Sequence, residues 1–372
     1  MTASATSSPD GVPPSGLRTK LLPSLGILLV TGGLLLLAWF AYLWFNPAPA
    51  PYRYTLVEEG DSTGLSQLGL SAWPGLTVAR YEVHAEGVDA PVALATTARR
   101  GTASPVLISW ENRTSELLLS LDSKLSELTA LASAINKHAP GDARILAWWD
   151  ISRQISLLAE RDTLFNAHLG EPLIIPSPWQ ARSESIRRYE DQFWGSAASA
   201  DQQRKFQRFA DALVAAPEQG AAILRELAGI QDTADSPQAF VVIHVTDLYK
   251  LGLMRPDHLD MAYKSFPMEG NMHGMIGYLK KWMQDNNFAT YTLQSLSDSM
   301  VRGYFLRDAD SSNTLIAQML PFTTTQPLDF KALHLIYQQG GYWVYQIPPY
   351  PGAAPAEAPV PAHETAPIPS GG

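Results

Sequence analysis

Apolar and polar positions alternate, cluster and recur along this chain in ways that mark out its elements. From Leu21 to Phe45 no charged residue occurs. At 1.5 Å rise per residue, such a helix crosses the roughly 30 Å hydrocarbon layer of a bilayer with some tilt. Strict alternation over Leu76 to His84 predicts a strand, and short apolar runs at Val92 to Thr96 and Val106 to Trp110 predict two more. Leu117, Leu118, Leu121, Leu125, Leu128, Leu131, Ala132 and Ile135 recur at helical spacing. This predicts one long helix, capped by Asn112 or Thr114 and ended by Pro140 and Gly141.

A buried strand over Ile145 to Trp149, a helix over Ile151 to Glu160 and a strand over Leu173 to Ile175 follow. That alternation implies a parallel α/β sheet with right-handed crossovers. Ser183 to Trp194, Asp201 to Ala215 and Pro217 to Ala228 read as three helices, the last followed by Gly229, and together form a helical insertion over about 183–230. Phe240 to Val245 reads as a buried strand, Asp257 to Lys264 as a short helix and His273 to Asn286 as a longer one. Strands over Thr290 to Gln294, Met300 to Leu306, Leu333 to Gln338 and Tyr342 to Ile347 close the chain, the last two joined at Gly340-Gly341 as a hairpin. The fold class is therefore α/β: an N-terminal transmembrane helix, a parallel or mixed sheet with a helical insertion, and C-terminal antiparallel strands.

The flanks set the organisation. Arg18 and Lys20 precede the apolar helix and Glu58, Glu59 and Asp61 follow it, so the positive-inside bias puts residues 1–20 in the cytoplasm and the domain, 52–350, in the periplasm. Trp39, Phe40, Tyr42, Trp44 and Phe45 make an aromatic belt at the outer end. A cleaved signal peptide with Ala48 and Ala50 at its site is the alternative. The apolar run exceeds the roughly 7–15 residues usual there, and Pro51 would follow the cut. Residues 46–51 form a Pro/Ala spacer, and the N-terminal segment and the tail, 351–372, are too poor in large apolar side chains to order by burial.

Composition narrows the chemistry. A net charge of -9 argues against nucleic acid as a partner. With no cysteine there is no disulfide, zinc thiolate, iron–sulfur cluster or C-x-x-C-H haem attachment, so no cofactor is expected apart from a candidate copper site. That site is Met268, Met272, His273 and Met275, a thioether and imidazole set suited to copper(I), although Met275 also fits an apolar helix face. His244 and Asp247, with Asp257, His258 and Asp260, could form a His/carboxylate site, or Asp257 is simply a cap and His258 a solvated residue. The most distinctive candidate is Trp148, Trp149, Asp150 and Arg153, where a strand gives way to a helix and open sheets bind ligands. Core packing of the Trp pair, with Asp150 capping the helix and paired to Arg153, is the alternative. No G-x-S-x-G, H-E-x-x-H, P-loop or G-x-G-x-x-G stands in a fitting context, so no catalytic residue is assigned.

The Trp148-Trp149-Asp150 run resembles the Trp-Trp-Asp-Tyr-Gly motif of oligosaccharyltransferase-type membrane glycosyltransferases, but Ile151 and Ser152 replace its Tyr and Gly. That resemblance implies architecture alone. Ser109-Trp110-Glu111-Asn112-Arg113-Thr114, Ala147 through Ile155, Glu171-Pro172-Leu173-Ile174 and Phe193-Trp194 together resemble the hydroxylamine oxidation protein HaoB family. The resemblance implies a non-catalytic accessory of the multihaem hydroxylamine oxidoreductase of ammonia- and methane-oxidising bacteria, at the inner membrane. A ligand-binding or glycosyltransferase-like domain acting near Asp150, or a copper-handling protein, are the other functions to weigh.

Overall fold

A computed structural model of the chain describes residues 18–45, 48–114, 116–195, 198–230, 237–268 and 272–349. The termini read as disordered, 1–17 and 351–372, lie outside the described residues. The chain divides into two compact units, 1–50 and 51–372.

The first unit holds helix α1 (Arg18–Phe45), which starts three residues before the apolar run. Over Leu25–Tyr42 its mean hydropathy is 2.1 and none of it is buried, so by length and composition it is able to cross a membrane. Trp39 and Tyr42 stack at 6.0 Å within the aromatic belt, while the side chains of Trp44 and Phe45 lie outside the described residues.

The second unit opens with an antiparallel meander, β1 (Tyr52–Asp61), β2 (Leu76–Ala85), β3 (Ala93–Arg100) and β4 (Val106–Asn112). β1 has no clean apolar alternation and is legible only through its partner: Tyr52 pairs with Ala85 and Asp61 with Thr77, across a bulge at Leu56/Glu58. Helix α2 (Leu125–His138) follows. It begins eight residues later than the leucine spacing predicts. Leu119 has φ 61 and bridges to Ile174, and the Asn112 side chain accepts from Leu118 N and donates to Ser120 O, holding the intervening segment out of the helix. Leu117 and Leu121 pack instead on Ile174 as a small separate cluster.

β5 (Arg144–Ala147), α3 (Trp149–Ala159) and β6 (Asp162–Thr163) make the first parallel pairing. Leu173 to Ile175 forms no strand, only the bridge at Ile174, because Pro172 and Pro176 on either side have no N–H to give a ladder. The three expected helices are present as α4 (Ser183–Trp194), α5 (Ala200–Val214) and α6 (Pro217–Ala228), with Gly229 left-handed at φ 68 past the end of α6. β7 (Ala239–His244) then lies parallel to β5 and is buried at every position. An unforeseen helix, α7 (Asp247–Met254), follows. The expected helix over Asp257 to Lys264 is instead a turn after Pro256 and the start of β8 (Met261–Pro267).

α8 (Met272–Asp285), β9 (Thr290–Ser297) and β10 (Met300–Leu306) complete a small lobe in the order β8-β10-β9, whose core joins Phe266, Leu279, Phe288, Tyr291 and Phe305. After the short helices α9 (Ala309–Ser312) and α10 (Leu315–Met319) come β11 (His334–Gln339) and β12 (Tyr342–Ile347), paired as the predicted hairpin. β12 runs antiparallel to β7, so the five-stranded sheet β11-β12-β7-β5-β6 is mixed rather than parallel throughout. The main core runs through this sheet: α6 packs on β5, β7 and β12, and α3 on β5 and α2.

β5 is the point where the strand order reverses, with β6 on one side and β7 on the other. The carboxyl ends of β5 and β7 open there into the crevice where ligands of such sheets bind.

Candidate functional site

Both strands that end at this crevice deliver charge to it. The two Trp do not lie within a strand: β5 ends at Ala147, Trp148 is the residue before α3 and Trp149 opens it. Trp148 is fully buried, edge-on to Phe206 at 5.1 Å. Both indole N–H groups donate to one carbonyl, that of Glu171, Trp149 at 2.5 Å and Trp148 at 3.4 Å. Asp150 is not the cap residue, which is Trp148, although its Oδ1 accepts from the Ile151 N–H at 2.7 Å. It sits in the first turn of α3, and its Oδ2 lies 2.7 Å from Lys250 Nζ, delivered by α7. Arg153, expected as its partner, instead donates to the Pro105 carbonyl at 2.9 Å, and Gln154 beside it to Leu107 O at 2.8 Å. These two side chains moor α3 to the entry of β4.

Lys250 is the hub. Its ammonium also reaches Asp247 Oδ1 at 3.1 Å and lies 5.5 Å from the centre of the Trp148 ring. Burial pulls its pKa down, but the two carboxylates outweigh burial and hold it above the usual lysine range. Burial pushes the Asp247 carboxyl up to about 6 against the pull of Lys250. Asp247 Oδ2 accepts from the His244 backbone N–H. The His244 ring accepts from Thr246 N through Nδ1, and burial, with Lys250 adding to it, drives its pKa down to about 3. A neutral ring makes the 4.0 Å approach of His244 Nε2 to Glu127 a packing contact rather than an ion pair.

A second group closes the other side. Glu190 of α4 is buried and accepts from the hydroxyls of Tyr52 and Tyr54 on β1 and from Trp194 Nε1 at 2.7 Å. Burial raises its pKa, and the three donors oppose the rise. His168 lies edge-on to Trp149 at 4.5 Å and stacked on Trp194 at 5.9 Å. Burial, then the positive charge of Arg153, lowers its pKa to about 3. Trp149, Asp150, Arg153, His168, Trp194 and Lys250 together bound a cavity of about 60 Å³.

The comparisons with known proteins bear on the chain as a whole. A family model described as HaoA-associated protein HaoB matches residues 18–347. The chain belongs to the HaoB family. The family's name ties its members to HaoA and to nitrification, and the match bears out the resemblance seen in the sequence. No curated protein matches this HaoB-family chain. Among solved structures, the crystal structure of the C. jejuni PglB C-terminal domain is similar at 10% identity and TM-score 0.34, over 59% of this chain and 98% of its own.

The HaoB match spans every residue of the crevice. Of the residues singled out in the sequence, Trp148, Trp149, Asp150 and Arg153 meet there, and His244 and Asp247 join them through Lys250. Asp257 and His258 do not: both are exposed in the turn before β8, and Asp260 pairs with Arg307 at 2.9 Å. Met275 is buried at 6% exposure and Met268 is half-buried, while the side chains of Met272 and His273 lie outside the described residues. Among the described residues no group of three or more His, Asp or Glu is arranged to hold a metal. Sequence reasoning missed Lys250, His168 and Glu190. Only Lys250 carried a signal, as the i, i+3 partner of Asp247 in a segment with Leu248 and Leu251 at helical spacing.

Proposed function

We propose that this HaoB-family chain is a non-catalytic, membrane-anchored accessory of the hydroxylamine oxidoreductase HaoA, which docks, scaffolds or matures that enzyme at the periplasmic face of the inner membrane. The family match over residues 18–347, named for association with HaoA, carries the reading. The apolar helix α1 supports the anchor, and the flanking Arg18 and Lys20 against Glu58, Glu59 and Asp61 support the orientation. Lacking cysteine, the chain attaches no c-type haem of its own, so in this role it serves the electron-carrying enzyme from outside the transfer chain.

The test is recovery of HaoA with the full-length chain extracted from its own membranes in mild detergent, read by haem absorbance and mass spectrometry. Saturable recovery of the haem enzyme at a fixed ratio is expected. A folded chain that brings down no haem protein above background would refute the accessory role.

A further inference from the structure

The cavity between Trp149 and Trp194 has an imbalance of hydrogen-bonding groups. Its carboxylates and the Glu171 carbonyl are all engaged by the protein. Asp150 is engaged by Lys250 and by the Ile151 N–H, the Glu171 carbonyl by both indoles, the Glu171 carboxylate by Gln207 Nε2 at 3.0 Å, and Glu190 by two tyrosines and Trp194. Its donors are not. Arg153 is only 7% exposed yet gives a single N–H, to Pro105 O, and among the described residues no carboxylate lies within ion-pair distance of it. His168, 9% exposed and neutral, meets no hydrogen-bond partner among the described residues.

The Arg153 and His168 nitrogens without a protein partner face accessible space, and both residues line the cavity, where an acceptor can reach them. Lys250 does not share this state, since two carboxylates already compensate it.

We propose that this cavity is a binding site for a small planar oxyanion of the carboxylate class, held by the free N–H groups of Arg153 and the ring N–H of His168. Arginine's planar fork of donors matches two oxygens in one plane, which a lysine ammonium cannot do. His168 is held by its stack on Trp194 and its edge-on contact with Trp149, and a cavity of about 60 Å³ suits a small ion such as formate or acetate. The site is separate from the association with HaoA and stands or falls without it.

Calorimetric titration of the detergent-solubilised full chain with sodium formate and sodium acetate tests this, with sodium chloride at equal ionic strength as the reference. Saturable binding by the carboxylates alone is expected, with the midpoint raised at least tenfold in Arg153→Lys, which keeps the charge and loses the fork. Should Arg153→Lys fail to unfold cooperatively, His168→Phe takes its place and raises the midpoint about threefold, the loss of one modest hydrogen bond. No saturation by roughly 100 mM anion in the folded wild type, a range that fills even a site of about 1 mM, overturns the proposal. So does an unchanged midpoint in the folded variants.

Discussion

At the scale of single residues, the crevice holds charges and imidazoles whose states are set by burial, and this gives the protein a definite response to acid. The unfolded chain protonates His168 at its ordinary value near 6.5, whereas the folded chain refuses the proton until about pH 3. Below 6.5 the unfolded state therefore binds more protons, and stability falls as pH falls. His244 acts in the same direction. Asp247, pushed up to about 6, acts in the opposite one, because in the folded state it keeps a proton that the unfolded chain has already released. The single-residue effect is isolated by comparison: between pH 6.5 and about pH 5, wild type should lose about 2 kcal/mol relative to His168→Phe, measured by urea denaturation across that range. The site was legible in the sequence where its residues are contiguous, at Trp148 to Arg153. It was not where the fold brings together distant positions. Asp150 and Arg153 stand one helical turn apart and so suggested an ion pair, but the strand reversal at β5 presents α7 to the same edge, and Lys250 takes the carboxylate instead.

At the scale of elements, the hairpin between β11 and β12 shows how a turn is bound to the site behind it. A Cβ on Gly341 would overlap His244 Nε2, and one on Gly340, which also has φ 57, would overlap the Glu127 carboxylate. Gly341→Ala should therefore destabilise the protein by about 1–3 kcal/mol, the usual range for overpacking. Gly277→Ala on α8, where a Cβ meets nothing within 4 Å, should instead be neutral or stabilise by up to about 1 kcal/mol. Thermal unfolding of the two variants side by side checks both. The same hairpin was legible beforehand, as were α4, α6 and β10, because local pattern and tertiary environment agree there. They disagree at Leu117 to Leu121, where helical spacing of leucines is overridden by the Asn112 side chain and the bridge to Ile174. They disagree again at β1, whose Arg53, Glu58 and Glu59 hide a strand that is fixed by pairing with β2.

At the scale of the whole molecule, the absence of cysteine makes orientation directly measurable. Thr102→Cys, exposed in the turn between β3 and β4, should react with a membrane-impermeant maleimide in intact spheroplasts, and Ser8→Cys only after the membrane is opened. Labelling of Ser8→Cys in closed spheroplasts would reverse the topology and remove HaoA from reach.

The position of β12 also bears on how the protein is made. This strand lies in the interior of the five-stranded sheet, between β7 and β11, yet among the described strands it is the last to leave the ribosome. For as long as synthesis continues through the lobe of β8 to β10, β7 presents the apolar run Ala239–His244 with one side of its backbone unsatisfied. The nascent chain thus cannot seal its central sheet piece by piece; closure waits for Tyr342–Ile347 to arrive and bridge β7 to β11 in one late step.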